Sequence, residues 1–137
     1  MIWLVGCQGM LGRQLSLSLK SAGLPFIGTG RELSIVDPAA LADFATNNHP
    51  DWIINCAAYT AVDKAEDEPA LALAINAEGP ANLAAVAKEF GAKLLHLSTD
   101  YVFDGKGIAD GGGGLRPYRG DDLMNPQSVY GATKAAG

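Results

Sequence analysis

A tyrosine and a lysine near the end of the chain have the residue types and the spacing that proton transfer needs. Tyr130 and Lys134 are four residues apart, so they share one face if the segment is helical. A lysine ammonium beside a tyrosine stabilises the phenolate and makes the hydroxyl a better proton donor. Thr99 follows a predicted strand and is able to hydrogen-bond the same substrate oxygen. Together these residues predict acid catalysis at a carbonyl group.

A glycine-spaced loop at the other end of the chain is suited to the pyrophosphate of a dinucleotide. Gly6, Gly9 and Gly12 directly follow the apolar segment Ile2–Val5 and open a segment with helical leucine spacing. Glycines allow a tight turn and a close approach of the backbone, and the first N–H groups of the next helix attract anions. We therefore predict that this loop binds a nucleotide cofactor.

The residues after the second predicted strand bear on which nucleotide is bound. An acidic side chain at that point would bind the ribose 2′-hydroxyl of NAD(H), but the chain has Gly30 and Arg31 there. A guanidinium group suits the 2′-phosphate of NADP(H), with two parallel hydrogen bonds. Glu32 follows and is able to bind the ribose or to neutralise Arg31. NADPH is therefore the predicted cofactor, with NADH as the alternative.

These residues have to be positioned by a scaffold in which strands and helices alternate. Short apolar runs predict strands, and leucine spacing, capping residues and prolines predict helices. We expect strands at 2–5, 26–29, 52–56 and 93–97 and helices near 11–20, after Asp37, over 68–90 with a bend at Pro80, and after a cap at Asn125 and Pro126. This order predicts an α/β fold with a doubly wound parallel sheet, the Rossmann fold, over residues 1–137.

Three further segments carry expectations of their own. The 68–90 helix should face inward with five apolar residues: Leu71, Ile75, Leu83, Val86 and Phe90. The glycine-rich segment 104–122 is predicted to be a mobile, irregular loop. The charged residues of segment 63–68 are interpreted as a solvated helix start, where carboxylates are favourable.

Composition limits the classes of function. The 137 residues carry a net charge of −5, which argues against a nucleic-acid partner. No apolar run approaches the length of a membrane span, so no membrane association is predicted. Cys7 and Cys56 suggest no disulfide framework and are typical of a reducing cytoplasm. His49 and His96 are interpreted as a loop and a strand histidine, and no metal site is predicted.

Four motifs, in chain order, resemble those of the dTDP-4-dehydrorhamnose reductases, a family of the extended short-chain dehydrogenase/reductases. They are the glycine loop, Asn55–Glu66, Ser98–Gly105 and Val129–Lys134, and the middle two are the most specific. The resemblance implies NADPH-dependent reduction of the 4-keto group of dTDP-4-dehydro-L-rhamnose to dTDP-L-rhamnose, a precursor of bacterial surface polysaccharide. Rival interpretations are a non-catalytic NADP-binding regulatory subunit of the same fold and a nucleotide-sugar epimerase or dehydratase.

The resemblance also implies roles for residues by matched position. Thr99, Tyr130 and Lys134 would be the catalytic set, and Asp100 and Val62 would approach the sugar nucleotide together with Thr99. The cofactor would lie along the glycine loop and the strand ends: Gly9, Met10 and Leu11 at the pyrophosphate, Ser34 and Ile35 near the adenine, and Ala58, Tyr59, Thr60 and Leu97 beside the nicotinamide and its ribose.

Departures from the family pattern set further expectations. The Gly111–Gly114 run lengthens a loop, and Gly120 stands where the family usually has a glutamate. Members of the family continue past the tyrosine helix with more strands and a sugar-nucleotide lobe, so the chain resembles an N-terminal portion that is inactive alone. Some relatives dimerise through a metal held by acidic residues on outer helices; the 11–20 helix has none, so that metal is not predicted. An open sheet edge makes self-association, as a homo-oligomer, an expectation.

Overall fold

Four parallel strands form the central sheet of the computed structural model, which describes all residues from 1 to 137. They are β1 (Ile2–Val5), β2 (Phe26–Thr29), β3 (Trp52–Asn55) and β4 (Lys93–His96), and they pair in the order β2-β1-β3-β4. The register aligns Val5 with Thr29 and Asn55, and Asn55 with His96, so the carboxyl ends of all four strands are level. The predicted parallel α/β sheet is confirmed.

Helices connect the strands, mostly at the predicted places; the short helix Val62–Asp67 was not predicted. They are α1 (Met10–Ser21), α2 (Pro38–Asn48), α3 (Val62–Asp67), α4 (Pro69–Leu73), α5 (Gly79–Phe90) and α6 (Val129–Ala136). The Asp37 carboxylate caps α2 by accepting a hydrogen bond from the Ala40 N–H at 3.1 Å, with Pro38 as the first helical residue. Each crossover therefore returns the chain to the start of the next parallel strand.

A π turn, Ala74–Glu78, joins α4 and α5 into one continuous helix. As predicted, the α-helix is divided near Pro80, which lies in the first turn of α5, but the division is a π turn and not a break in the helix. A proline cannot donate to the carbonyl four residues earlier, which is that of Asn76, and the wider π turn lies at that interruption. The turn also changes which residues face the core. Leu83 and Val86 are buried as predicted, whereas Leu71 is 47% exposed.

The same helix corrects the expectation about apolar length. Pro69–Phe90, with 22 residues, is long and apolar enough to cross a membrane by length and composition alone. A core helix passes the same test, and this one buries Leu83, Val86 and Ala87 in the core cluster of the domain.

The core lies between the sheet and the pair α2 and α5. Trp3 from β1 and Leu41 from α2 are fully buried within it. The Trp3 ring packs against Phe44 with centroids 4.5 Å apart, and its Nε1 donates to the Thr29 hydroxyl at 2.9 Å. The indole thus links α2 to the neighbouring strands β1 and β2.

The glycine-rich segment contains structure that the sequence analysis did not predict. A short antiparallel hairpin pairs β5 (Ile108–Ala109) with β6 (Leu115–Arg116). Arg116 forms a salt bridge with Asp122 at 2.6 Å. The prediction of an irregular loop is therefore wrong for these residues, because a hairpin and an ion pair organise the segment.

The last helix begins three residues later than the predicted start at Pro126. Ser128 is its cap, and the Ser128 hydroxyl accepts a hydrogen bond from the Gly131 N–H at 3.1 Å. Asn125 instead donates its side-chain N–H to the carboxylate of Asp104 at 3.1 Å. Asparagine and serine are comparable caps, and here the asparagine is engaged elsewhere.

Candidate active site

The glycine loop has the shape that a phosphate group requires. Gly6 has a φ of 75°, and a Cβ there would collide with the backbone of Ala57. A Cβ on Gly12 would collide with the carbonyl oxygen of Gly6. Gly9 is the N-cap of α1 and no side chain caps this helix. The first N–H groups of α1 are therefore free to bind an anion, and the residues present fit a dinucleotide pyrophosphate.

A groove of about 630 Å³ runs from this loop along the ends of β1, β2 and β3. Eight residues of the predicted cofactor set line it: Gly6, Gly9, Arg31, Ser34, Ile35, Ala58, Tyr59 and Thr60. Leu71, the residue that the sequence analysis placed in the core, also faces this groove.

Arg31 lines the groove while its neighbour Glu32 does not. The Glu32 carboxylate accepts hydrogen bonds from the Gly30 N–H at 2.5 Å and from Gln8 Nε2 at 3.1 Å. The Gly30 hydrogen bond is the main cause that lowers the pKa of this carboxyl. Glu32 is thus held by the loop and forms no salt bridge with Arg31, whose side chain lines the groove.

A second cavity, of about 290 Å³, adjoins the groove and brings the two ends of the chain together. Tyr130 and Lys134 line it beside Met10, Leu11 and Leu97. Gly9, Ala58 and Thr60 line both spaces. The predicted proton donor, its lysine and three of the four predicted nicotinamide-side residues therefore lie around one cavity, whereas Tyr59 lines only the groove.

Three residues predicted for the substrate side lie elsewhere. The Thr99 hydroxyl donates to Asp100 Oδ1 at 3.2 Å and accepts from the Tyr101 N–H at 3.3 Å, and Thr99 does not line the cavity. Asp100 lines a separate cavity of about 290 Å³ with Ser128. Val62 opens α3 and lines neither space. Their roles toward a substrate stay predictions.

The first turn of α6 is held from three sides, which fixes where Tyr130 lies. Gly131 packs so closely on the carbonyl of Tyr101 that no side chain would fit. The Tyr101 ring meets the Tyr130 ring edge-on with centroids 5.4 Å apart. Glu66 accepts a hydrogen bond from the Val129 N–H at 2.8 Å. The prediction that segment 63–68 is only a solvated helix start is therefore wrong for Glu66.

Lys134 is buried, with 4% of its surface exposed. Its Nζ donates to the carbonyl of Leu97 at 2.6 Å and lies 3.2 Å from Nε2 of His96. Burial lowers the pKa of Lys134, because a charged amine is poorly solvated there. Burial and then the charge of Lys134 lower the pKa of His96. His96 is thus more than a strand histidine, although no metal role follows.

Asn76 is a residue that the sequence analysis missed. It is fully buried in the π turn, and its side chain accepts from the Tyr59 N–H at 2.8 Å. It also donates to the Tyr59 carbonyl and to the Thr133 hydroxyl, each at 3.1 Å. Asn76 therefore links α6 to the loop that carries Ala58, Tyr59 and Thr60, here called the nicotinamide-side loop. An asparagine within an apolar helical run was the available signal.

Glu68 holds the same loop through the side chain of Tyr59. The Tyr59 hydroxyl donates to the Glu68 carboxylate at 2.6 Å, which raises the pKa of Tyr59 to about 12. The same hydrogen bond, with a salt bridge from Lys64 at 2.9 Å, lowers the pKa of Glu68. Two hydrogen-bonded anchors, Asn76 and Glu68, thus set the position of Tyr59.

Comparison with known protein families decides the classification. The family model described as the RmlD substrate binding domain matches residues 1–137, which is the whole chain. The chain belongs to this family.

Individual relatives agree with that classification. A dTDP-4-dehydrorhamnose reductase from Streptomyces griseus is 50% identical over 137 residues, covering 98% of this chain and 43% of the relative. A solved structure of such a reductase from Clostridium acetobutylicum is 43% identical with a TM-score of 0.89, covering 98% of this chain and 46% of that one. The reductase from Bacillus anthracis, solved in complex with NADP, is 36% identical with a TM-score of 0.88 and covers the same shares. The chain therefore spans less than half the length of these relatives.

Proposed function

We propose that residues 1–137 form the NADPH-binding part of an enzyme that reduces the 4-keto group of dTDP-4-dehydro-L-rhamnose to give dTDP-L-rhamnose. The observation that carries the proposal is the shared cavity, in which Tyr130 and Lys134 lie beside Gly9 at the start of α1. The relative from Streptomyces griseus supplies the substrate class by its name. We place the protein in the cytoplasm, in agreement with the free thiols of Cys7 and Cys56.

The residues of the groove suit NADPH in three places. The uncapped N-terminus of α1 would hold the pyrophosphate, and Arg31 would hold the 2′-phosphate. Ala58, Tyr59, Thr60 and Leu97 would lie beside the nicotinamide and its ribose. When bound, the reduced nicotinamide supplies a hydride to C4 of the sugar.

The protein supplies the proton. Tyr130 would donate its hydroxyl proton to the C4 oxygen, since it lines the cavity that the glycine loop closes. Lys134 would make that hydroxyl a better proton donor. A hydrogen bond to the Leu97 carbonyl holds the Lys134 amine in place. Thr99 would hydrogen-bond the same oxygen, and Asp100 and Val62 would contact the sugar nucleotide. We propose no nucleic-acid or membrane partner.

A chimera tests this function directly. Residues 1–137 would replace the matching part of the Streptomyces griseus relative, and the product would be assayed with dTDP-4-dehydro-L-rhamnose and NADPH. We expect turnover to dTDP-L-rhamnose. A chimera that binds NADPH without turnover would favour the non-catalytic binding subunit, and a product with inverted or dehydrated sugar would favour the epimerase or dehydratase.

A further inference from the structure

The side chain of Gln8 links the glycine loop to the segment that follows β2. Gln8 Nε2 donates to one oxygen of the Glu32 carboxylate at 3.1 Å, and the other oxygen accepts from the Gly30 N–H at 2.5 Å. An ionised carboxylate only accepts hydrogen bonds, so this contact fixes the nitrogen end of the Gln8 amide toward Glu32. Each oxygen of the Glu32 carboxylate thus has its own donor.

The amide of Gln8 also lies directly against the Cα atom of Gly30. A Cβ at Gly30 would collide with Cδ, Oε1 and Nε2 of Gln8. Sheets of this kind bind the adenosine ribose at the end of the second strand, where an acidic side chain selects NAD(H). In this chain the Gln8 amide occupies the space beside that Cα atom, and Glu32 is the one carboxylate between Thr29 and Val36.

The position of Glu32 matters because its neighbour in the sequence is Arg31. Two cationic side chains line the groove, and the Lys64 ammonium is paired with Glu68 at 2.9 Å, whereas Arg31 has no salt bridge. Glu32 does not line the groove. A carboxylate released into it would pair with Arg31 or repel a 2′-phosphate. NADH lacks that phosphate, so release of Glu32 would weaken the binding of NADPH selectively.

We propose that Gln8 is a positioning residue for Glu32: it holds the carboxylate against Gly30, outside the groove, and thereby sets the preference for NADPH over NADH. The hydrogen bond from Gly30 and, to a smaller extent, that from Gln8 lower the pKa of Glu32, so the carboxylate is ionised at neutral pH. The proposal rests on the proposed function, because it assumes the NADPH site, but it involves no sugar substrate.

Fluorescence titration of the chain with NADPH and with NADH tests the proposal in a double-mutant comparison. Gln8→Met keeps the length of the side chain but removes the N–H donor. We expect the ratio of the NADH to the NADPH dissociation constant to fall by roughly 3- to 10-fold, the effect of one hydrogen bond. In a Glu32→Gln background no carboxylate is released, so the same change at position 8 should leave the ratio unaltered. The control is Gln14→Met, since Gln14 is exposed on α1.

The outcomes separate this proposal from the proposed function. If the chain binds NADPH and Gln8→Met leaves the ratio unchanged, this proposal alone is overturned. An equal fall in both backgrounds also overturns it, because Gln8 would then act on the nucleotide directly and not through Glu32. If the unmodified chain binds neither nucleotide, the NADPH site of the proposed function is wrong, and this proposal is overturned with it.

The Gly30 amide reports the position of Glu32 without any nucleotide. In ¹H–¹⁵N NMR spectra of the ¹⁵N-labelled chain its signal should follow the titration of Glu32, because the carboxylate accepts from this N–H. Glu32→Gln should abolish that response. We expect a higher titration midpoint in Gln8→Met, since a donor to the ionised carboxylate is lost. An unchanged midpoint would show that Gln8 does not hold the carboxylate and would overturn the proposal.

Discussion

Arg31 lines the cofactor groove, as Lys64 does, and the replacement of Arg31 tests the choice of nucleotide. Glu32 is bound to Gly30 and Gln8 and forms no salt bridge with Arg31. We predict that Arg31→Ala weakens NADPH binding by roughly 1.5–3 kcal/mol, the usual worth of a charge-assisted hydrogen bond, with little effect on NADH. Fluorescence titration with both nucleotides measures the difference. The control is Arg13→Ala, since Arg13 is an exposed arginine on α1. Tighter binding of NADH than of NADPH by the unmodified chain would contradict the assignment of Arg31 to the 2′-phosphate.

Tyr130 carries the second prediction at this scale. In the active chimera, Tyr130→Phe removes the hydroxyl proton but keeps the ring that packs against Tyr101. We expect kcat to fall by roughly 10²- to 10⁴-fold with NADPH affinity largely retained. The matched control is Tyr101→Phe, which removes one hydroxyl from the other ring of the pair. Near-normal kcat in Tyr130→Phe would show that another group donates the proton.

Short motifs made part of the site predictable, and distance in the sequence hid the rest. The glycine loop and the Tyr130–Lys134 pair each fall within one local segment, so their spacing is visible in the sequence. Asn76 meets Thr133 across 57 positions, and His96 meets Lys134 across 38. Such contacts depend on how the helices pack, which periodicity does not describe.

The helix that contains the π turn is the element on which the nicotinamide-side loop depends. Asn76→Ala would remove three hydrogen bonds of a fully buried side chain, two to the Tyr59 backbone and one to Thr133. We predict a loss of roughly 2–4 kcal/mol in the free energy of unfolding, because buried partners are left unsatisfied. Urea denaturation measures it. The control is Asn47→Ala, because Asn47 is exposed and its side chain is bonded only within α2. We expect this variant to change the free energy of unfolding by no more than about 0.5 kcal/mol. Equal losses in the two variants would contradict the anchoring role of Asn76.

The segment around the β5–β6 hairpin should respond to acid. Asp104 accepts from the Tyr118 hydroxyl at 2.5 Å, from the Lys106 N–H at 3.0 Å and from Asn125, and these bonds lower its pKa to about 2. A carboxyl whose folded pKa lies below its unfolded value, near 4, stabilises fully above about pH 4. That stabilisation is lost as the pH falls through about 2.

Tyr118 reports this loss, because its ring also stacks on Phe103 at 4.4 Å. We predict that the NMR signals of the Tyr118 ring change between about pH 4 and about pH 2 in the unmodified chain. In Asp104→Asn they should already differ at neutral pH and change little in that range. Asp121→Asn, at an exposed aspartate of the same segment, should behave like the unmodified chain. A Tyr118 response that persists unchanged in Asp104→Asn would assign it to another carboxyl, such as Asp122.

Element positions were predictable where the signal was local. The Asp37 and Pro38 pair predicted the start of α2 because both residues act on the first turn. The start of α6 was misplaced because Asn125 and Ser128 are both capping types, and only the contact with Asp104 decides between them. Leu71 was misplaced because a regular 3.6-residue period was assumed through the π turn.

At the scale of the whole molecule, we predict that the 137-residue chain alone binds NADPH but shows no reductase turnover. Catalysis needs the sugar held against the cofactor, and lost positioning costs several powers of ten. The chain spans 43% of the Streptomyces griseus relative, and Asp100 lies outside the Tyr130 cavity. An assay of NADPH consumption beside the chimera measures this. Light scattering tests the expected self-association through the edge strand β4, where Leu95 is 47% exposed. If the chain is a monomer and its turnover equals that of the chimera, the prediction is wrong.

The π turn has a consequence for how relatives of this chain are compared. A π turn takes up one residue more than a turn of α-helix, so Ala74–Glu78 has the geometry of an α-helix with one inserted residue. Deleting one residue from the π turn would rotate the preceding helix α4 by about 100° relative to α5, because each residue of an α-helix turns the chain by that angle. Glu68 would swing away from Tyr59. We therefore expect a relative that lacks one residue in this segment to hold the loop around Tyr59 differently, even where the tyrosine and lysine are kept.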